Sequence, residues 1–305
     1  LVGSEMCIRD RYIFGPPGTG KTVLMKYILD NYFPEVSVYV NCFRFRTTKE
    51  ILKEILFKFG IYTKETESNS DLFKKVEELN KKHRLIICLD EADQIKDSDK
   101  DEVLYNLAEI GCGLILISNK LMTHLLTLDS RTRDRLNLHD IEFPAYTPDE
   151  LFDIGKDRVK FSFVPGTISD KLIMIAARLS EGDARVLLLA LKNAGRYAED
   201  EGKSKVELEH ILKGVREAKR LRKSKLLEKL NDHERVIYSI LEEHKKLPAA
   251  ELYKLYSKKV EKPVGKRAFR YYMKHMATLG LVKSCLLYTS PSPRDLSTSR
   301  MPSSA

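Results

Sequence analysis

Residues 15 to 22 read Gly-Pro-Pro-Gly-Thr-Gly-Lys-Thr, with two glycines placed to end in Gly-Lys-Thr, the spacing that cradles phosphate groups. Gly18 and Gly20 let backbone N–H groups approach phosphate oxygens, and a helix that starts there turns its positive end toward them. Gly15, Pro16, Pro17 and Thr19 complete the loop. Lys21 is expected to pair with the β and γ phosphates, and Thr22 to offer its hydroxyl to Mg²⁺. A second stretch, residues 85 to 93, is Leu-Ile-Ile-Cys-Leu-Asp-Glu-Ala-Asp, an apolar run that ends in acids. Asp90 is expected to hold the magnesium shell and Glu91 to polarise a water for attack on the γ-phosphate, since phosphoryl transfer needs mainly positioning and charge neutralisation. The two stretches together imply binding and hydrolysis of ATP, with ADP as product.

These groups need elements to carry them. Apolar residues recur at helical spacing after the loop, at Val23, Leu24, Tyr27 and Ile28. Residues 36–40 read as a β-branched strand, 48–59 as an amphipathic helix and 72–79 as a further helix before the acidic strand. A helix over 103–109 and a buried strand over 114–118 follow, and then a strand over 141–143. Alternation of this kind predicts an α/β fold, a parallel sheet wrapped by helices, with ligands at the C-terminal ends of the strands. Asn119 sits at such an end and could bond the attacking water or the γ-phosphate, or form a turn. Arg131, Arg133 and Arg135 crowd five positions, either as a solvated basic helix or as a source of transition-state charge for a neighbouring subunit. Residues 146–217 read as helices only. Arg185 opens one of them, where it could lean over bound phosphate or pair with an acid.

The formal net charge is +9, and its distribution says more than its size. Residues 213–283 hold 20 Lys and Arg against 8 Asp and Glu, whereas residues 12–212 carry a slight acidic excess. Such asymmetry points to nucleic acid or another anionic surface. Residues 266–279 form a helix with Phe269, Tyr272, Met273, Met276 and Leu279 on one face and Lys266, Arg267, Arg270 and Lys274 on the other. With a basic helix over 213–229, a helix capped at Asn231 or Asp232 and another starting at Pro248, this makes a helix-turn-helix whose last helix fits a DNA major groove. Leu281 and Val282 would begin the strand of a wing.

Five cysteines lack framework or metal-ligand spacing, which suggests reduced thiols in a cytosol, with Cys42, Cys88 and Cys112 in or near the core. No apolar run approaches the roughly 20 residues that span a membrane. Residues 1–11 read as adapter-like sequence foreign to the fold, as do the Ser/Pro-rich residues 284–305, which carry no helical or strand period.

Taken together, the phosphate loop, Val40-Asn41-Cys42, Leu89-Asp90-Glu91-Ala92-Asp93, residues 103–107, Ile117-Ser118-Asn119, the arginine segment, Gly182-Asp183-Ala184-Arg185 and the C-terminal helices resemble the AAA+ replication initiators of archaea, the origin recognition complex and cell-division-control family. The resemblance covers nearly all of residues 12–283. It implies an ATPase α/β subdomain over 12–144, a helical lid over 145–217 and a winged-helix DNA-binding domain over 218–283. It makes Asn119 the first sensor, Arg185 the second, and Arg135 or Arg131 an arginine finger that acts on another copy or a paralogue. It implies slow, regulatory hydrolysis, double-stranded origin DNA and the replicative helicase as partners, and a cytoplasmic, nucleoid-associated protein. Three departures stand out: Lys120 replaces a common acid, the segment that encloses adenine is missing, and the wing is cut short. Alternatives are a signal-transducing ATPase that regulates transcription and a clamp-loader ATPase; the latter would end in a helical collar.

Overall fold

A computed structural model describes residues 10–119, 128–136, 138–228 and 230–282. Lys120, Lys229, residues 1–9 and the tail 284–305 lie outside the described residues. The chain divides into two compact units that part between Arg220 and Leu221.

The first unit begins with β1 (Arg11–Phe14), α1 (Lys21–Tyr32), β2 (Ser37–Asn41), α2 (Thr48–Lys58), α3 (Asn69–His83) and β3 (Ile86–Asp90). A single 3-10 turn (Ala92–Gln94), α4 (Asp97–Ile110), β4 (Gly113–Ser118), α5 (Ser130–Arg135) and β5 (His139–Glu142) follow. The strands form one parallel sheet in the order β2-β3-β4-β1-β5. Their side chains alternate between two apolar layers, as strands covered on both faces require. Tyr12, Phe14, Ile87, Leu89, Leu114 and Leu116 pack against α2, α3 and α4 on one face. Ile13, Cys88 and Ile117 meet Met25 and Leu29 of α1 on the other.

Local signals set the element boundaries. Thr47 with Glu50 and Ser68 with Asp71 close reciprocal capping boxes at the starts of α2 and α3. The expected helix over 72–79 starts earlier, at Asn69, because that box supplies its first turn. α1 forms where expected but buries a different face. Its inward positions are Lys21, Met25 and Leu29, four residues apart, while Val23, Leu24 and Tyr27 are exposed. The phosphate loop fixes the helix's rotation by anchoring Lys21, and this overrides the apolar count. The last two positions of the expected foreign start extend β1 and its pairing. Arg11 pairs with Ile115 and His139 inside the sheet, and Asp10 accepts hydrogen bonds from Leu114 N at 3.0 Å and His139 N at 2.9 Å. Strand pairing runs through the backbone, so unrelated side chains can extend it.

A helical lid follows: α6 (Pro148–Ser162), α7 (Asp170–Leu179), α8 (Ala184–Asp200) and α9 (Leu208–Glu228). Leu151, Ala176, Leu187, Ala190, Leu191 and Ile211 form its core, with alanines bringing the helices close. The expected helix over 213–229 is part of α9, which starts earlier, at Leu208, and runs unbroken past the expected domain edge at 217.

The second unit contains α10 (Asp232–His244), α11 (Ala249–Lys259) and α12 (Lys266–Thr278) around Ile237, Ile240, Leu252, Tyr256, Phe269 and Met276. Asn231, rather than Asp232, caps α10. The buried Glu234 accepts from Asn231 N at 3.0 Å and pairs with His275 Nδ1 at 2.6 Å. α12 turns the expected apolar face inward and leaves Lys266, Arg267, Arg270 and Lys274 exposed. Leu281 and Val282 pack on this core but are not in a strand. Among the described residues, no helix is long and apolar enough to cross a membrane.

Candidate functional site

Residues 15 to 20 link β1 to α1 at the C-terminal edge of the sheet. Gly18 and Gly20 have φ of 93° and 80°, values at which a side chain would be strained. Gly20 precedes α1, and no side chain caps that helix, so the N–H groups of its first turn remain available to an anion. Lys21 lies back along the loop, its Nζ donating to Gly15 O and Pro16 O at 2.8 Å each. Burial pulls this ammonium down to about 8, an effect that Asp90 opposes only in part.

Asp90, at the end of β3, is 3% exposed. Its Oδ2 accepts two hydroxyls, Thr22 Oγ1 and Tyr39 OH, at 2.7 Å each, and its Oδ1 accepts Glu91 N at 2.9 Å. Thr22 and Asp90, expected to share one magnesium shell, are thus in direct contact. Glu91 takes a left-handed backbone, φ 53°, which turns the chain away from β3 beside the cavity. Asn119 and Arg185 line the same cavity of about 240 Å³, together with residues 17–22, Asp90 and Glu91. The structure therefore brings together the loop, both acids and both expected sensors.

It does not bring Arg131 or Arg135 there. Both lie exposed on α5; Arg135 sits 3.6 Å from Glu109 and over the Tyr105 ring, and neither lines the cavity. Lys266, Arg267, Arg270 and Lys274 belong to the second unit.

Two further contributors are not anticipated by sequence. Tyr39 is on β2, beside β3, and burial and the Asp90 bond both hold its hydroxyl protonated. Asp183 caps α8, accepting Arg185 N at 2.9 Å, and is buried directly over Gly18, where any side chain would strike its carboxylate. Ala184 N also donates to Gly18 O at 3.3 Å. An acid two residues before a helical arginine is a readable N-cap signal, but its contact with the loop is not local. Tyr39 could be found only once the strand order was known.

The arrangement suits a nucleoside triphosphate with Mg²⁺. An uncapped helix start, φ-positive glycines and a lysine suit the phosphates. Among the described residues no set of three metal-binding side chains occurs, and Mg²⁺ typically takes only one or two protein oxygens besides substrate phosphates. Thr22 and Asp90 would supply them.

Phosphate beside Lys21 would restore its charge, so nucleotide binding should take up close to one proton per site at pH 9, between about 8 and the free-lysine value of about 10.4. Calorimetry in buffers of different ionisation enthalpy reads this directly; heats that do not vary with buffer would refute it. Tyr39→Phe should raise the Mg²⁺ concentration needed for half-maximal hydrolysis about tenfold with little change in melting temperature. A magnesium titration checks it.

Comparison with known proteins places this geometry. Residues 11–136 match the family model described as AAA domain, and residues 152–219 match the Cdc6 AAA+ ATPase-type lid domain. ORC1-type DNA replication protein 1 of Sulfurisphaera tokodaii is 32% identical over 276 residues, covering 82% of this chain and 69% of that protein. The Aeropyrum pernix ORC1 protein in complex with DNA superimposes with a TM-score of 0.67 at 24% identity, over 89% of this chain and 78% of that one. The Aeropyrum pernix ORC2 protein in its ADPNP-ADP complexes gives 0.63 at 22%, over 90% and 81%. These two likenesses concern the fold: an AAA+ parallel sheet with a helical lid. On the sequence match to its archaeal relatives, the chain belongs to the ORC1-type family of AAA+ DNA replication proteins.

Proposed function

We propose that this protein is an ATP-switched replication initiator that binds duplex origin DNA and hydrolyses ATP slowly. The observation that carries the reading is the convergence of residues 17–22, Asp90, Glu91, Asn119 and Arg185 on one cavity, in a chain that also holds a basic three-helix unit. In this reading residues 12–144 are the ATPase subdomain, 145–217 the lid and 218–283 a winged-helix DNA-binding domain.

Position supports the following roles. Lys21 exchanges its two loop carbonyls for the β and γ phosphates of ATP. Thr22 and Asp90 would hold Mg²⁺, which would supply charge neutralisation on the phosphates. Tyr39 keeps Asp90 in the rotamer that meets Thr22. Glu91 orients the attacking water and accepts its proton, and Asn119 holds the water or the γ-phosphate. Arg185, fixed at its backbone by Asp183, leans over the phosphates from the lid and so reports which nucleotide is bound. Arg131 or Arg135 serves a neighbouring copy or a paralogue, since neither reaches this chain's own cavity. Lys266, Arg267, Arg270 and Lys274 contact DNA from α12, and the switched state engages the replicative helicase.

Glu91→Gln should lower turnover at least about a hundredfold while leaving ATP affinity within about twofold; unchanged turnover would remove Glu91 from this role. Fluorescence anisotropy with ATP, ADP or no nucleotide should show preference for origin-repeat duplexes over promoter and random duplexes. Preference for promoters would favour a transcriptional regulator. Arg267→Ala or Arg270→Ala should weaken binding and reduce the salt slope by about one for each phosphate that the side chain no longer neutralises.

A further inference from the structure

The lid carries a second groove, of about 460 Å³, separate from the loop and acids of the nucleotide cavity. It lies where the end of α6, the turn after it, α8 and residues 203–206 meet. α8 presents Leu188, Leu191 and Gly195 to it at helical spacing, and Phe163, Val164 and Val206 complete an apolar floor. Gly195 gives the Phe163 ring room against the helix: an added Cβ would stand 2.9 Å from the ring and would push it outward. The far wall is tied in place, with Val206 N donating to Thr167 O and Lys203 N to Ala198 O at 2.8 Å each.

The lining of this floor is strongly positive. Arg158, Lys192, Arg196 and Lys205 are exposed and line the groove, and none of the four forms an ion pair among the described residues. Lys203 is already held by Glu201 and Glu207, and Glu199 is the single acid in the lining. Val164 is 72% exposed and the neighbouring Phe161 87%, which extends the apolar surface beyond the groove. A groove of this size with an apolar floor and unpaired cations calls for a ligand that is apolar at its centre and anionic around it. A nucleic-acid backbone offers the charge but nothing to fill the floor.

We propose that this groove docks an acidic peptide segment of a partner protein, with one bulky apolar side chain seated on Phe163, Leu191 and Val206 and flanking carboxylates on Arg158, Lys192, Arg196 and Lys205. The probe is a fluorescein-labelled peptide with a central phenylalanine flanked by aspartates, titrated with the full chain at low ionic strength and read by anisotropy. Saturable binding is expected. It should weaken about tenfold in Lys192→Glu and in Arg196→Glu, and about as much when alanine replaces the peptide's phenylalanine. Both substitutions lie on the exposed surface, and an unchanged melting temperature establishes that each variant is folded. The proposal is overturned if no saturable binding occurs, if neither reversal weakens it, or if the alanine peptide binds as tightly. Duplex DNA that displaces the peptide, and is itself weakened by the same reversals, would make the groove a nucleic-acid contact and also overturn it.

Discussion

One oxygen atom organises the α/β part of this molecule. Oδ2 of Asp90 accepts hydroxyls from Thr22 on α1 and Tyr39 on β2. A carboxylate this deeply buried is tolerable only when hydrogen bonds replace its water, and here those bonds come from a neighbouring strand and from the helix that follows the phosphate loop. The register of β2 on β3, which sets Asn41 opposite Asp90 and Tyr39 opposite Cys88, is therefore tied to the site. So is the rotation of α1, because Thr22 reaches Asp90 only with Lys21 turned inward. That rotation leaves Val23, Leu24 and Tyr27 outside, a packing cost accepted beside the phosphate loop.

The lid is joined to the loop by an equally specific contact. Gly18 lacks a side chain where phosphate would approach, and the same lack admits the Asp183 carboxylate. Asp183 also starts α8 and so sets the backbone of Arg185. Loop conformation, helix start and arginine position thus form one linked unit. One turn further along, Leu188 lines both the nucleotide cavity and the lid groove.

Much of this was legible in the sequence because the constraints are local. The phosphate loop needs glycine, lysine and a hydroxyl within eight positions, and the acids end an apolar run that only a buried strand explains. The capping pairs Thr47 with Glu50 and Ser68 with Asp71 were equally local, yet they extended or sharpened boundaries that apolar spacing had placed roughly. What escaped depends on neighbours distant in the chain. Tyr39 acts on a residue 51 positions away, and Asp183 on a loop in another subdomain. The inward face of α1 escaped because spacing shows which residues are apolar, not which way a preceding loop turns the helix. The basic face of α12 was legible because its apolar residues alone decide the helix's orientation.

The three described cysteines carry a different consequence. Cys42, Cys88 and Cys112 are free and buried at the end of β2, within β3 and just before β4, and burial pushes each thiol well above its ordinary range. A buried thiol in that state is inert toward alkylating reagents until its surroundings open. The sheet therefore contains its own clocks. Cys42, whose backbone N–H bonds to Asp90 O at 2.8 Å, times exposure of the sheet edge that carries Asp90, while Cys112 times the opposite end of the sheet. Labelling rates at these sulfurs would distinguish local fraying from cooperative opening of all the strands at once.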